Sequence, residues 1–234
     1  MTFLIQQTLI YAVPLMIVAL AGVFAERSGI INLALEGIMI FGAFIGVLFV
    51  RLMQGSQAVL AAKQAGDWVA LQGLELLTML VAAAMGAVFS LLLSFASINL
   101  RADQTIGGTA LNLLATAIAV VIAKYFSDSG SAKLNYSNKP FLFSIGGLEL
   151  SVFVPLGLIL LVVSYIVLYK TRFGLRLRAV GENPKAVDTA GVSVVKLRYQ
   201  AVIITGLLCG LAGAYFSIAQ GSGFGNNMTA GKGF

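Results

Sequence analysis

Six stretches of this chain run apolar for about 20 residues each, the length that crosses the hydrocarbon core of a bilayer as a helix. They are Leu4–Phe24, Ile30–Val50, Leu76–Ile98, Thr105–Phe126, Val152–Tyr169 and Ala201–Gln220, and none carries more than one charge. A soluble domain is nearer 25% charged, whereas here charged residues are 10%, hydrophobic residues 59% and mean hydropathy +0.96. A soluble chain of 234 residues has no interior large enough for this much apolar surface, so lipid is its solvent. The fold expected is all-α: one polytopic transmembrane domain over residues 1–234, a bundle of about six spans with no separate soluble domain. The 26 glycines suit helices packed closely in a membrane. With no histidine and a single cysteine, Cys209, the chain lacks the side chains for zinc sites, disulfides, Cys–His catalysis or histidine proton relays. No catalytic residue, metal or cofactor is expected. Residues 1–7 have no basic region, so the first span does not read as a cleaved signal peptide.

Charge gives the topology. Between the fifth and sixth spans, Lys170–Tyr199 holds seven basic residues (Lys170, Arg172, Arg176, Arg178, Lys185, Lys196, Arg198) against Glu182 and Asp188. This segment is +5 in a chain that is +6 overall. Clustered Lys and Arg beside spans stay on the cytoplasmic side. Parity then places Ala25–Gly29 and Asn99–Gln104 in the cytoplasm, with Arg51–Glu75, Ser127–Ser151 and the N-terminus outside. The connector Ala25–Gly29, with one acid and one base, gives no independent signal of side. Ser28, Gly29 and Asn32 are placed to interrupt the second span. Outside the basic segment the charges nearly balance, eight basic to seven acidic, and no basic-aromatic patch marks nucleic acid as a partner.

Within the basic segment, Arg172, Arg176 and Arg178 alternate with Phe173, Leu175, Leu177 and Val180, an amphipathic elbow for the membrane surface. Asn183 then reads as an N-cap and Pro184 as the first helical position. Lys185, Ala186, Asp188 and Ala190 continue a helix of roughly two turns, and Gly191 closes it with a left-handed cap. A doubly capped helix between positive flanks fits a docking surface for a cytoplasmic protein. A solvated loop that merely obeys the charge rule fits the same residues.

Polar residues inside the spans are costly and face inward. Thr105, Thr109, Asn112 and Thr116 share one face of the fourth span at spacings of 4, 3 and 4. Ser28, Asn32 and Glu36 recur at spacings of 4 in the second. Either set is a candidate translocation path, and either serves equally as interhelical hydrogen bonding for assembly. Glu36 fits a protonated carboxyl or one paired with a donor at a broken helix end. The patterns Gly42–Gly46 and Gly206–Gly210 mark close backbone approach, for which intrachain packing is explanation enough. Gly225–Gly233 superficially resembles a nucleotide loop but has Asn at 226 and Gly at 233, where Gly and Ser or Thr are required.

Three segments resemble permease subunits of bacterial ATP-binding-cassette importers of the ribose and branched-chain amino acid type. They are Glu26–Gly37 (ERSGIINLALEG), Ala102–Leu114 (ADQTIGGTALNLL) and Arg178–Val192 (RAVGENPKAVDTAGV). The first two are most similar to the simple-sugar and nucleoside branch, and the third resembles the family's ATPase-coupling segment. The resemblance runs from about residue 10 to the end of the sequence. It implies a multi-pass protein of the bacterial cell membrane with three partners: a second permease subunit, a cytoplasmic ATPase and an extracytoplasmic substrate-binding lipoprotein. It also implies an ATPase-coupling role for Asn183–Gly191. Family members continue for several spans beyond the equivalent of Phe234, so a partial chain is expected, as is the absence of a charged anchor after the Gly-rich stretch Gly221–Phe234.

The function expected is therefore an importer permease for nucleosides or simple sugars, with ATP hydrolysed on another subunit. A secondary transporter driven by an ion gradient is the alternative; it calls for paired broken helices and intramembrane carboxylates, of which only Glu36 is present. A membrane scaffold without transport is the other.

Overall fold

The computed structural model describes residues 2–65, 67–127, 130–135, 143–145, 148–150, 153–218, 223–225 and 228–233. The expected span ends Val152 and Gln220, and the last residue Phe234, lie outside them. The chain runs α1 (Thr2–Glu26), α2 (Leu35–Gln54), α3 (Gln57–Ala65), α4 (Trp68–Ser94) and α5 (Gln104–Phe126). Short strands β1 (Lys133–Asn135), β2 (Phe143–Ile145) and β3 (Leu148–Leu150) follow. Then come α6 (Phe153–Lys170), α7 (Arg172–Glu182), α8 (Pro184–Thr189), α9 (Val194–Phe216) and β4 (Gly223–Gly225). Helices α1, α2, α4, α5 and α9 are long and apolar enough to cross a membrane. Helix α6 joins them as one arm of a pair with α7, bent by 69°. The architecture is a polytopic helical bundle, as expected.

Helix α9 is the axis of the bundle and packs against α1, α2 and α4. Tyr215 and Phe216 at its end and Phe44 of α2 are among the largest fully buried side chains. Phe41 of α2 stacks on Phe89 of α4 at 4.7 Å between centroids. The two glycine patterns belong to this packing: Gly42 meets Gly210, and Gly206 meets Gly86. Thr205 donates its hydroxyl to the carbonyls of Ala21 and Ala201, both at 3.0 Å, so α9 is also hydrogen-bonded to α1. β4 pairs antiparallel with β1, and β2 with β3. Phe224 of β4 packs edge-on against Phe44, which brings the segment after α9 back alongside the middle of α2.

Three expectations are corrected. The second span does not begin at Ile30: Gly29 has φ +77°, and Asn32 turns its Oδ1 back to accept from the Ala34 N–H at 2.9 Å. The helix starts at Leu35, and the polar residues Ser28, Asn32 and Glu36 do not share one helical face. The third span does not begin at Leu76, and part of the connector Arg51–Glu75 is helical. It contains α3, and Asp67 caps α4 by accepting from the Ala70 N–H at 3.2 Å, which places Glu75 inside a helix and buried. The polar stripe of α5 is not wholly inward, because Thr105 and Thr109 are exposed on the surface of this chain.

Candidate functional site

The three connectors assigned to the cytoplasm meet at one end of the bundle. The Tyr199 hydroxyl lies 2.5 Å from Asn99 Oδ1, and Arg198 donates Nε–H to the Ser28 carbonyl at 3.3 Å. The basic segment is mostly helical. Thr171 caps α7 by accepting from the Gly174 N–H at 3.2 Å, and α7 turns Gly174, Leu177 and Val180 inward. Arg172 and Arg176 point outward, and Arg178 lies over the Tyr169 ring at 5.0 Å. This is an amphipathic helix set at a steep angle to α6, as an interfacial elbow requires.

The short helix that follows has both expected caps. Asn183 Oδ1 accepts from the Ala186 N–H at 3.1 Å, and Pro184 occupies the first turn. At the other end Gly191 has φ +79°, and its N–H donates to the Asp188 carbonyl at 2.9 Å. Val192 N–H donates to the Val187 carbonyl at 3.2 Å. The left-handed turn at Gly191 ends the helix and satisfies carbonyls it would leave open. Lys185, Ala186, Asp188 and Ala190 are all exposed. A shallow groove lined by Pro184, Lys185, Asp188, Ser193, Val194 and Val195 runs beside the helix.

The polar residues inside the bundle separate into two kinds. Thr109 donates its hydroxyl to the carbonyls of Thr105 and Ile106, both at 3.0 Å, and Thr116 donates to Asn112 at 2.9 Å. These hydroxyls stay on their own helix and keep acceptor capacity. Asn112 reaches across instead. Its Oδ1 accepts from the Gly37 N–H at 2.7 Å, and its Nδ2 donates to the Leu33 carbonyl at 2.8 Å. It bridges the opening turn of α2, where backbone groups have no helical partner. Gln104 belongs to the same clamp, with its Oε1 accepting from the Ile31 N–H at 2.7 Å.

Glu36, one residue into α2, is buried, and both its carboxyl oxygens accept hydrogen bonds. Its Oε1 accepts from the Thr229 hydroxyl and from the Gly231 N–H at 3.0 Å, and its Oε2 accepts from the Gly233 N–H. The structure thus brings Asn32, Glu36 and Asn112 together around the start of α2 and leaves Thr105 and Thr109 on the outer face of α5. Sequence reasoning missed Gln104, Arg198, Tyr199 and Thr229. Gln104 had one signal, its place directly after Asp103. Asp103 caps α5 by accepting from the N–H groups of Thr105 at 2.8 Å and Ile106 at 3.1 Å. The Ile106 and then the Thr105 N–H hold this exposed carboxyl below the usual aspartate range.

Residues 4–234 match the family described as branched-chain amino acid transport system / permease component. The chain is 38% identical over 241 residues to the nucleoside ABC transporter permease protein NupC of Lactococcus lactis, covering 99% of this chain and 72% of that one. It is 38% identical over 247 residues to the guanosine ABC transporter permease protein NupQ of Bacillus subtilis, covering 100% of this chain and 73% of that one. A putative glucose ABC transporter permease protein of Haloferax volcanii, TsgC13, is 31% identical over 246 residues, 99% of this chain and 67% of the relative. No solved structure matches the chain.

Proposed function

The chain belongs to the branched-chain amino acid transport system / permease component family, and from that premise we propose that it carries nucleosides as the permease subunit of an ATP-driven importer. The observation that carries this reading is similarity along this whole chain, at equal identity, to two permeases named for nucleoside and guanosine transport. The more distant relative named for glucose keeps simple sugars as the second substrate class. The chain is a multi-pass membrane permease, and no covalent chemistry on the substrate is part of its task.

In this reading ATP is bound and hydrolysed on a separate cytoplasmic subunit, which docks on α8. The twice-capped helix supports that assignment: Asn183, Pro184 and Gly191 fix its ends, and Lys185, Ala186, Asp188 and Ala190 present its surface. A binding lipoprotein delivers the nucleoside at the outer face, and a second permease subunit completes the path. Thr105, Thr109 and Thr116 on α5 line that path, with hydroxyl oxygens free to accept from a ribose or base. Asn32, Glu36 and Asn112 are further candidates for that path and shape the backbone at the start of α2.

The test is uptake by the permease reconstituted in proteoliposomes with its ATPase and binding protein. ATP-dependent accumulation of radiolabelled guanosine, displaced by other nucleosides and not by glucose, is expected. Accumulation that follows an ion gradient without ATP would overturn the reading in favour of a secondary transporter.

A further inference from the structure

The connector between α1 and α2 begins as turns folded back on α1, where the N–H groups of Arg27, Ser28, Gly29 and Ile30 donate to carbonyls of Val23, Ala25 and Glu26, and it is also gripped by other elements. On its cytoplasmic side Arg198 of α9 donates to the Ser28 carbonyl at 3.3 Å. Gly181 of α7 sits so close that a Cβ there would stand 2.6 Å from the Arg27 carbonyl oxygen. On its membrane side α5 supplies Gln104 to the Ile31 N–H at 2.7 Å, and Asn112 to both Leu33 and Gly37. Past Gly29 the connector's local bonds are from Ile30 N–H to the Ala25 carbonyl at 3.2 Å and from Ala34 N–H to Asn32 Oδ1 at 2.9 Å, while the buried Asn32 Nδ2 finds no partner among the described residues. Beside it lies a cavity of about 140 Å³ lined by Gly22, Glu26, Asn32 and Leu33, among others. A regular helix moves as a unit because its hydrogen bonds are internal. A segment bonded to α5 and α9 as well as to α1, and packed against α7, is instead coupled to each of them, and the cavity gives it room to move.

We propose that residues 27–34 form the mechanical link between the cytoplasmic segment Lys170–Tyr199 and the inner end of the transport path, with Arg198, Gln104 and Asn112 as its positioning residues. The proposal rests on the importer reading, in which the ATPase displaces α7 and α8. Gly181 and Arg198 pass that displacement to Arg27–Gly29. The clamp from Gln104 and Asn112 turns it into a change at the opening of α2, where Glu36 is tied to Thr229, Gly231 and Gly233. Short non-helical segments that absorb backbone rotation are the usual hinges of such transitions.

The experiment uses the assembled complex with its ATPase, in a Cys209→Ser background carrying Ile31→Cys at the exposed position 31. Alkylation of that cysteine should differ about fivefold between nucleotide-free and ATP–vanadate-trapped complex, the lower end of typical coupling. In Arg198→Gln and Gly181→Ala the ATPase should still co-purify and hydrolyse ATP. The nucleotide dependence at position 31 should vanish in both, uptake should fall by a similar factor, and Arg198→Lys should restore both. Equal alkylation in the two states of an active complex would overturn the proposal, as would full coupling in Gly181→Ala and Arg198→Gln together. A wild-type complex without ATP-dependent uptake would defeat the importer reading itself, which is a different result.

Discussion

Gly42 and Gly210 face each other across the α2–α9 contact so closely that a Cβ on Gly42 would stand 2.5 Å from the Gly210 Cα. The two glycine patterns legible in the sequence thus serve packing within this chain, Gly42 and Gly210 between α2 and α9, and Gly206 with Gly86 between α9 and α4. Close approach lets α2 and α9 gain dispersion along their length, the main source of helix association where lipid is as apolar as the side chains. Gly42→Val is expected to overpack this contact at a cost of about 1–3 kcal/mol. Gly73→Ala, where an added Cβ meets nothing within 4 Å, should be neutral. Thermal unfolding of the two variants in the same detergent checks this, and equal midpoints would mean that the contact is not tight.

The caps of α8 make a second prediction. Gly191→Pro removes an N–H that donates to Asp188 and imposes a negative φ where the backbone has +79°. Asn183→Leu removes the side-chain acceptor, a loss of about 0.5–2 kcal/mol. Either change should displace the surface proposed for docking and leave the spans intact. Co-purification of the ATPase should be lost or sharply weakened while membrane insertion, read by the yield of the permease, is unchanged. Normal ATPase binding in both variants would remove α8 from the docking role.

Sidedness is the third. The basic segment, the α1–α2 connector and the α4–α5 connector are joined through Arg198–Ser28 and Tyr199–Asn99, so they must lie on one side. The +5 charge of Lys170–Tyr199 leads us to expect that side in the cytoplasm. In a Cys209→Ser background, Lys185→Cys should react only with a reagent that crosses the membrane. Lys133→Cys, on β1, should react with one that does not. The opposite pattern would invert the whole topology.

Much of this architecture is legible without coordinates, for identifiable reasons. Apolar runs of this length with at most one charge fold as helices in lipid, so the five long spans and α6 follow from hydropathy. The ends of α8 follow from Asn183, Pro184 and Gly191 because capping is local chemistry. The break before α2 was visible as a possibility in Ser28, Gly29 and Asn32. What sequence could not convey is where a polar side chain aims. Asn112 lies at helical spacing from three threonines, yet its amide turns across to α2, and only the packing of α5 on α2 decides that. Glu36 finds its donors at Thr229, Gly231 and Gly233, nearly two hundred residues along the chain. No periodicity announces such a partner. Helix α3 was missed because nine mixed residues between two spans carry no strong pattern.

The last prediction separates path from packing on α5. Thr109 is exposed and its hydroxyl bonds only to its own helix, so Thr109→Leu loses no interhelical bond. Asn112→Leu strands the Gly37 N–H and the Leu33 carbonyl, partly buried groups whose loss of partners costs up to about 1–3 kcal/mol each. The two variants should therefore fail differently. Thr109→Leu should lower nucleoside uptake at unchanged thermal stability, and more than Ala110→Leu, a change of similar bulk at the neighbouring exposed position. Asn112→Leu should lower stability and uptake together. Uptake normalised to the amount of inserted permease, measured beside the unfolding midpoint, distinguishes the outcomes. Equal uptake for Thr109→Leu and Ala110→Leu would show that the threonine face does not line the path.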